Sequence, residues 1–369
     1  AYCISRWYKA ATVGWNCSFA RCDHARMCRV RLLLLCLCVL VAMTLTLAVS
    51  LSNHQTIEYD LPPKPPDLLK DKLNHQPGKP TVAQVKWLIS QVNWERLWYS
   101  HLRPILTEHQ PRSRAHLFST GFSFGGLVCR SGPFISETPR GPVSFSNVLA
   151  VLHPMAPRGL LLACHYDSQL IPSEPSDPQK VFVGVSDSAM PCAMILELSR
   201  FFSFFFLMSR VTLQLIFFDG REAFEQWSQT DSLYDSRHLA DCPVFLTRRD
   251  LLVLLDLIGA PDPMFVNHFE NTARWFDRLI AKRLHNLGLM SSHPKEQTYF
   301  MKDMNMGPAE DDHTPFLQRV PVLHIIATPF PSFLHMLEDT ADKVHSHTVQ
   351  NLTKVLVSSW LSICGSRML

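Results

Sequence analysis

Five carboxylates and two histidines stand where apolar runs give way to short polar loops. "LLACHYDS" supplies His165 and Asp167, and "VGVSDSAMPCA" sets Asp187 just ahead of a helical pattern. "LIFFDGREAFEQW" holds Asp219 and Glu222, "LLVLLDLIGAP" holds Asp256, and "FPSFLH" ends in His335. Singly, each has a plain use as a helix cap or one half of a buried ion pair. As a set they offer another chemistry, because Asp, Glu and His donate oxygen and nitrogen to zinc at about 2.0–2.2 Å, and three such ligands with an open fourth position make a catalytic centre. Arg221 is the odd member of the group. A guanidinium stays protonated and has no acceptor lone pair, so it cannot carry a proton for a reaction at that junction.

The elements that would position these residues can be read from the apolar runs. Val148–Leu152, Leu160–Cys164, Val211–Phe218, Leu251–Ile258 and Val322–Ile326 read as strands buried on both faces, and Thr81–Leu102, Ser188–Phe205, Asn271–Leu289 and Ser346–Leu361 as helices. Alternation of the two predicts an α/β fold with a central mixed, mostly parallel sheet flanked by helices. In such sheets ligands bind beyond the carboxyl ends of the strands, where the polar residues above fall. Between Thr107 and Pro142 no sustained period marks an element.

The whole chain of 369 residues is 47% hydrophobic, which suffices for a large core. Its formal charge of +3 is small and no basic run interleaves with aromatics, which argues against a nucleic-acid partner. No charged residue occurs between Arg31 and Glu58, a stretch long enough to cross a ~30 Å hydrocarbon layer as a helix at about 1.5 Å per residue. Arg21, Arg26, Arg29 and Arg31 precede it, so the positive-inside bias predicts a cytosolic tail over residues 1–29 and an N-terminal transmembrane signal anchor over 30–57. A Pro- and Lys-rich stem follows over 58–80, then a lumenal domain over 81–369. Ala48-Val49-Ser50 would also serve as a signal-peptide cleavage site. Asn351-Leu352-Thr353 is a glycosylation sequon on the lumenal side.

These segments, with "DSAMPCAMILELS", "DSLYDSRHLA", "EDDHTPFLQR" and "VPVLHIIATPFP", resemble the glutaminyl-peptide cyclotransferase family from about Trp87 to Leu361, and within it the membrane-anchored Golgi branch. The resemblance implies a zinc-aminopeptidase-like fold that binds one zinc per chain. It also implies closure of a peptide's N-terminal Gln onto its own α-amine, leaving pyroglutamate and releasing ammonia, with peptides that begin with Glu as a second candidate partner. By position it implies Asp187, Glu222 and His335 as metal ligands and Cys164 and Cys192 as a disulfide. Asp256 would steady the substrate amide nitrogen with Asp311 as its partner, and Trp227 and Phe330 would line the pocket. His165 would match a second-metal ligand of the related aminopeptidases.

The departures bear on activity more than on fold. Arg221 stands in place of the general-base glutamate, Leu334 in place of a tryptophan, Asp235 in place of a glycine, and Glu310 in place of a glutamine. A cation beside a dication is expected to turn away from it, toward solvent, Glu225 or Asp256. Two alternatives to a cyclotransferase remain: a silent peptide-binding homologue of the secretory membrane, and a two-metal zinc aminopeptidase.

Overall fold

Continuous apolar runs become strands here because both of their faces are covered. The structure, a computed structural model, describes residues 80–106, 128–152, 156, 158–206, 211–242, 249–279, 282–291, 299–301, 304, 307 and 309–364. All of these fall in one compact unit, Asp67–Leu369. The strands are β1 (Val128–Thr138), β2 (Gly141–Val151), β3 (Arg158–His165), β4 (Val211–Phe218), β5 (Arg249–Asp256), the two-residue β6 (Phe265–Val266) and β7 (Phe300–Met301), and β8 (Val322–Ile326). The main helices are α1 (Val82–Gln91), α2 (Met190–Phe206), α3 (Tyr234–Ala240), α4 (Ala273–Leu279), α5 (Lys282–Asn286) and α6 (Ser346–Cys364).

Six strands form one sheet in the order β1-β2-β4-β3-β5-β8; β1, β2 and β4 pair antiparallel, and β4, β3, β5 and β8 run parallel. The expected mixed sheet is therefore present, with β1 as an addition. The period-2 geometry of a strand sends alternate side chains to opposite layers. Leu160, Leu162, Leu213, Leu215, Phe217, Leu251 and Val253 join α1, α2 and α6 in one core, while Leu161, Ala163, Ile216, Phe218, Leu252 and Leu254 pack with α3, Phe316 and Val320 in the other. Each such side chain, fully buried, is worth roughly 1.5–3 kcal/mol, enough to fix the register of the sheet and hence of its ends.

The helix expected over Thr81–Leu102 divides. α1 starts at a capping box between Thr81 and Gln84 and stops at Val92, which is extended. Asn93 then restarts the chain: its Oδ1 accepts from Arg96 N at 2.8 Å, opening a π-helical segment over Arg96–Leu102. Buried Glu197 of α2 fixes the junction by accepting from Asn93 N at 3.0 Å and Arg96 Nε at 2.7 Å. The proposed membrane anchor over 30–57, the tail and most of the stem lie outside the described residues. Among the described residues no helix is long and apolar enough to cross a membrane.

Candidate metal and substrate site

Because β3, β4, β5 and β8 are parallel, their carboxyl ends share one edge of the sheet, and the polar residues singled out in the sequence gather there. His165 ends β3 and Asp256 ends β5. Asp187 sits in a π-helical turn, Val185–Ala189, which enters α2 after Gly184 in the left-handed region. After β4 the chain turns sharply at Gly220, whose φ of 92° and closeness to the Phe145 ring, 2.6 Å from where a Cβ would stand, admit only glycine. That turn delivers Arg221 and Glu222. His335 follows β8 with φ 54°, a left-handed backbone that a non-glycine residue adopts only when its surroundings hold it there.

The donor set fits a metal ion. Asp187 is fully buried, and neither of its carboxylate oxygens has a hydrogen-bond partner. His335 Nε2, likewise without a hydrogen bond, lies 3.9 Å from Asp187 Oδ2 and 3.6 Å from Glu222 Oε1. Buried oxygens left bare carry a desolvation penalty that an ion between them would remove. His165 approaches from the other side, its Nε2 at 3.8 Å from Asp187 Oδ1 and 3.4 Å from Asp256 Oδ1. With Asp187 and Glu222 it forms a second triplet whose ligand atoms all lie within 4.8 Å of one another. Burial and the charge of Glu222 push the Asp187 carboxyl up to about 7. Burial would raise Glu222 too, but Arg221 and His335 outweigh it and bring that carboxyl down to about 2.

Arg221 meets one expectation and corrects another. It reaches Asp256, as expected, with Nη2 3.0 Å from Oδ2, but instead of turning to solvent or Glu225 it lies buried in the site, with Nη1 2.6 Å from Glu222 Oε1 and Nε 3.0 Å from Asp311 Oδ1. Three carboxylates pull harder than solvent because each would otherwise be buried without a compensating charge. Trp227 covers the guanidinium, its ring centroid 5.3 Å from Cζ, and donates from Nε1 to Glu310 Oε2 at 3.1 Å. Phe330 is 52% exposed and follows β8 in the chain.

Several supporting residues were not legible in the sequence. Asp339 accepts from Ser186 N at 2.9 Å and Asp187 N at 3.2 Å, which fixes the turn carrying Asp187; only an acidic run, "LEDTAD", hints at it. Asp231 accepts from the N–H groups of Phe224, Glu225 and Gln226, each at 2.9 Å, and so shapes the loop that presents Trp227. Asp311 Oδ2 is held by His324 Nε2 at 2.9 Å, and the His313 ring lies tilted against that of His324, the centroids 4.5 Å apart. Burial and the neighbouring His324 push His313 down to about 3, so it stays neutral. Asp311, His313 and His324 also cluster as metal donors would, but Asp311 is spoken for by Arg221 and His324. Fully buried Asp235 and Asp312 have no hydrogen bond on either carboxylate; burial raises both well above the usual carboxylate range, helped by the charge of Asp312 at Asp235 and of Asp311 at Asp312.

The sulfurs of Cys164 and Cys192 lie 2.8 Å apart as buried thiols, close enough to pair but unbonded here. Asn351 corrects another expectation. It is fully buried in α6, accepts from Ser291 N at 2.7 Å and donates to Tyr299 OH at 3.1 Å, so its amide has no room for a glycan in the folded domain.

Residues 147–359, more than half of the chain, match the model of peptidase family M28. The chain is 45% identical over 305 residues to the glutaminyl-peptide cyclotransferase-like protein of Mus musculus, covering 76% of this chain and 78% of that one. It is 42% identical over 322 residues to the glutaminyl-peptide cyclotransferase of Gloydius blomhoffii, 79% and 87% of the two chains. The glutaminyl cyclase structure of Macrostomum lignano superposes with a TM-score of 0.69 at 33% identity, over 78% of this chain and 94% of that one. A Zn-dependent exopeptidase of Parabacteroides distasonis shares the fold, with a TM-score of 0.61 at 17% identity over 73% and 98% of the chains. On these matches the chain belongs to the glutaminyl-peptide cyclotransferase family, within peptidase family M28.

Proposed function

We propose that this chain takes peptides with an N-terminal Gln, or Glu, at a one-zinc site held by Asp187, Glu222 and His335. We further propose that it cyclises them slowly or not at all. In the reaction the α-amine attacks the side-chain amide carbon, the carbon–nitrogen bond breaks, and ammonia leaves as pyroglutamate forms. A bound zinc would supply Lewis-acid polarisation of that carbonyl. The chain's own residues must then move a proton from the α-amine to the departing nitrogen. In this reading Trp227 walls the substrate, and Asp256 steadies its amide nitrogen with Asp311 as partner.

The observation that carries this reading is the grip of three carboxylates on Arg221. The guanidinium has no lone pair with which to accept a proton. It also spoils its neighbours as bases: Glu222 is held near 2, and Asp311, which burial alone would raise, is drawn well below its usual range by Arg221 and His324. Efficient proton carriers titrate near the working pH.

The test is turnover of Gln-initiated peptides by the chain and by Arg221→Glu. The variant is expected to run about 10²–10⁴-fold faster, the usual worth of a positioned acid–base group. Turnover by the unaltered chain equal to that of the variant would refute the reading. Binding without turnover in both would favour the silent peptide-binding role, and release of free amino acids would favour the aminopeptidase role that His165 permits.

The same reading sets residues 30–57 in a Golgi or other secretory-pathway membrane, single-pass type II, with 81–369 in the lumen and Cys164 bonded to Cys192. The uncharged stretch, its arginine flank and the facing sulfurs support it. Loss of residues 81–369 to protease added outside sealed microsomes would contradict the topology.

A further inference from the structure

The zinc-ligand set of the preceding reading is accepted here, and a property of Arg221 toward that ion follows. We propose that Arg221 is a resident counter-ion of the metal site: it holds the carboxylates together without an ion, and it competes with zinc for Glu222. The site therefore folds metal-free and loads reversibly, as a centre that responds to the level of a divalent cation.

Charge balance makes the first half of the case. Asp187, Glu222, Asp256 and Asp311 are all buried at one strand-end edge. Among the described residues no lysine and no other arginine pairs with any of them; their partners are Arg221 and the imidazoles of His165, His335 and His324. Buried carboxylates without a compensating cation are strongly destabilising. Arg221 compensates three at once, through a planar fork whose Nε, Nη1 and Nη2 each meet a different carboxylate. With that bracing the edge is held without an ion.

Shared atoms make the second half. Glu222 Oε1, the oxygen 3.6 Å from His335 Nε2, is the one that Arg221 Nη1 grips at 2.6 Å. A carboxylate in a charge-assisted bond is a poorer ligand, and an ion joining Asp187, Glu222 and His335 meets a permanent positive charge on the same group. Asp187, in contrast, is left without hydrogen bonds and ready for an ion. Binding is linked in both directions: whatever loosens Arg221 tightens zinc, and zinc loosens Arg221 from Glu222 and so from Asp256 and Asp311.

The experiment uses the full chain, stripped with a chelator and reloaded with zinc, alongside Arg221→Gln and Arg221→Lys, and reads melting temperature and zinc affinity by chelator competition. Stripping is expected to leave the unaltered chain folded and melting cooperatively, its melting temperature lowered only by the mass-action stabilisation that bound zinc supplies. Arg221→Gln is expected to bind zinc at least ~10-fold more tightly, the scale on which groups touching a ligand tune affinity, and to lose its fold when stripped. Arg221→Lys keeps a cation and should stay close to the unaltered chain in both readouts. An unaltered chain that unfolds on stripping would overturn the proposal whatever the variants do, and so would equal zinc affinities in the unaltered chain and Arg221→Gln. If Arg221→Gln folds neither with nor without zinc, the stripped unaltered chain and Arg221→Lys still decide the matter. Neither readout is turnover, so an active unaltered chain would refute the slow-cyclase reading and leave this one standing.

Discussion

Replacing Asp339 by alanine should weaken the metal site without touching a ligand. Asp339 is buried, and its two oxygens accept from Ser186 N at 2.9 and 3.1 Å and from Asp187 N at 3.2 Å. These bonds hold the π-helical turn in which Asp187 faces His335. Hydrogen bonds to a charged group contribute about 1.5–3 kcal/mol each, and donors left buried without an acceptor add a penalty, so two lost donors should cost about 3–5 kcal/mol. At about 2–4 °C per kcal/mol for a domain of this size, the melting temperature should fall by roughly 6–20 °C. Zinc affinity should fall about 10–100-fold, as it does when a group orienting a metal ligand is removed. Asp339→Asn keeps one acceptor oxygen and should recover part of both losses. The assays are thermal unfolding and chelator competition. An alanine variant that melts within about 2 °C of the unaltered chain, a shift typical of neutral surface changes, and binds zinc equally well would refute the claim that Asp339 positions Asp187.

Two further outcomes follow from buried groups. Burial, and then Asp312, raise the Asp235 carboxyl well above its usual range, so the folded chain holds a proton that the unfolded chain gives up above about pH 4. The stabilising contribution of that proton is present below the unfolded pKa and is lost as pH rises through the folded one. Asp235→Asn should therefore flatten the pH dependence and melt higher than the unaltered chain at pH 8; a lower melting temperature there would contradict the burial argument. For Cys164 and Cys192, 28 positions apart in sequence, closing the loop should stabilise the oxidised chain by about 3–4 kcal/mol. Melting with and without reductant checks this, and alkylation of both Cys164 and Cys192 in chain denatured without reductant would exclude the bond.

β3, β4, β5 and β8 were legible because strands buried on both faces must be apolar throughout. β1 was not: "VCRSGPFISET" carries Arg, Ser, Gly, Pro and Glu, as suits an edge strand with one neighbour, and its identity depends on pairing with β2 through Val128–Thr138. The division of the first helix was hidden for a similar reason, since the restart at Asn93 is held by Glu197, 104 residues away. Glycosylation at Asn351 failed for the opposite cause: a sequon is a local pattern, and burial is not local.

The sequence by itself determined which chemistry was on offer. Residue types settle that Asp187, Glu222 and His335 can ligate zinc and that Arg221 cannot carry a proton, because those are properties of single side chains. Only the tertiary structure decided where Arg221 goes. Its direction depends on the summed pull of Glu222, Asp256 and Asp311, which arrive from a loop after β4, from the end of β5 and from the segment before β8, and no span of sequence contains all three. Asp339 reaches the Asp187 turn from still farther along the chain, for the same reason.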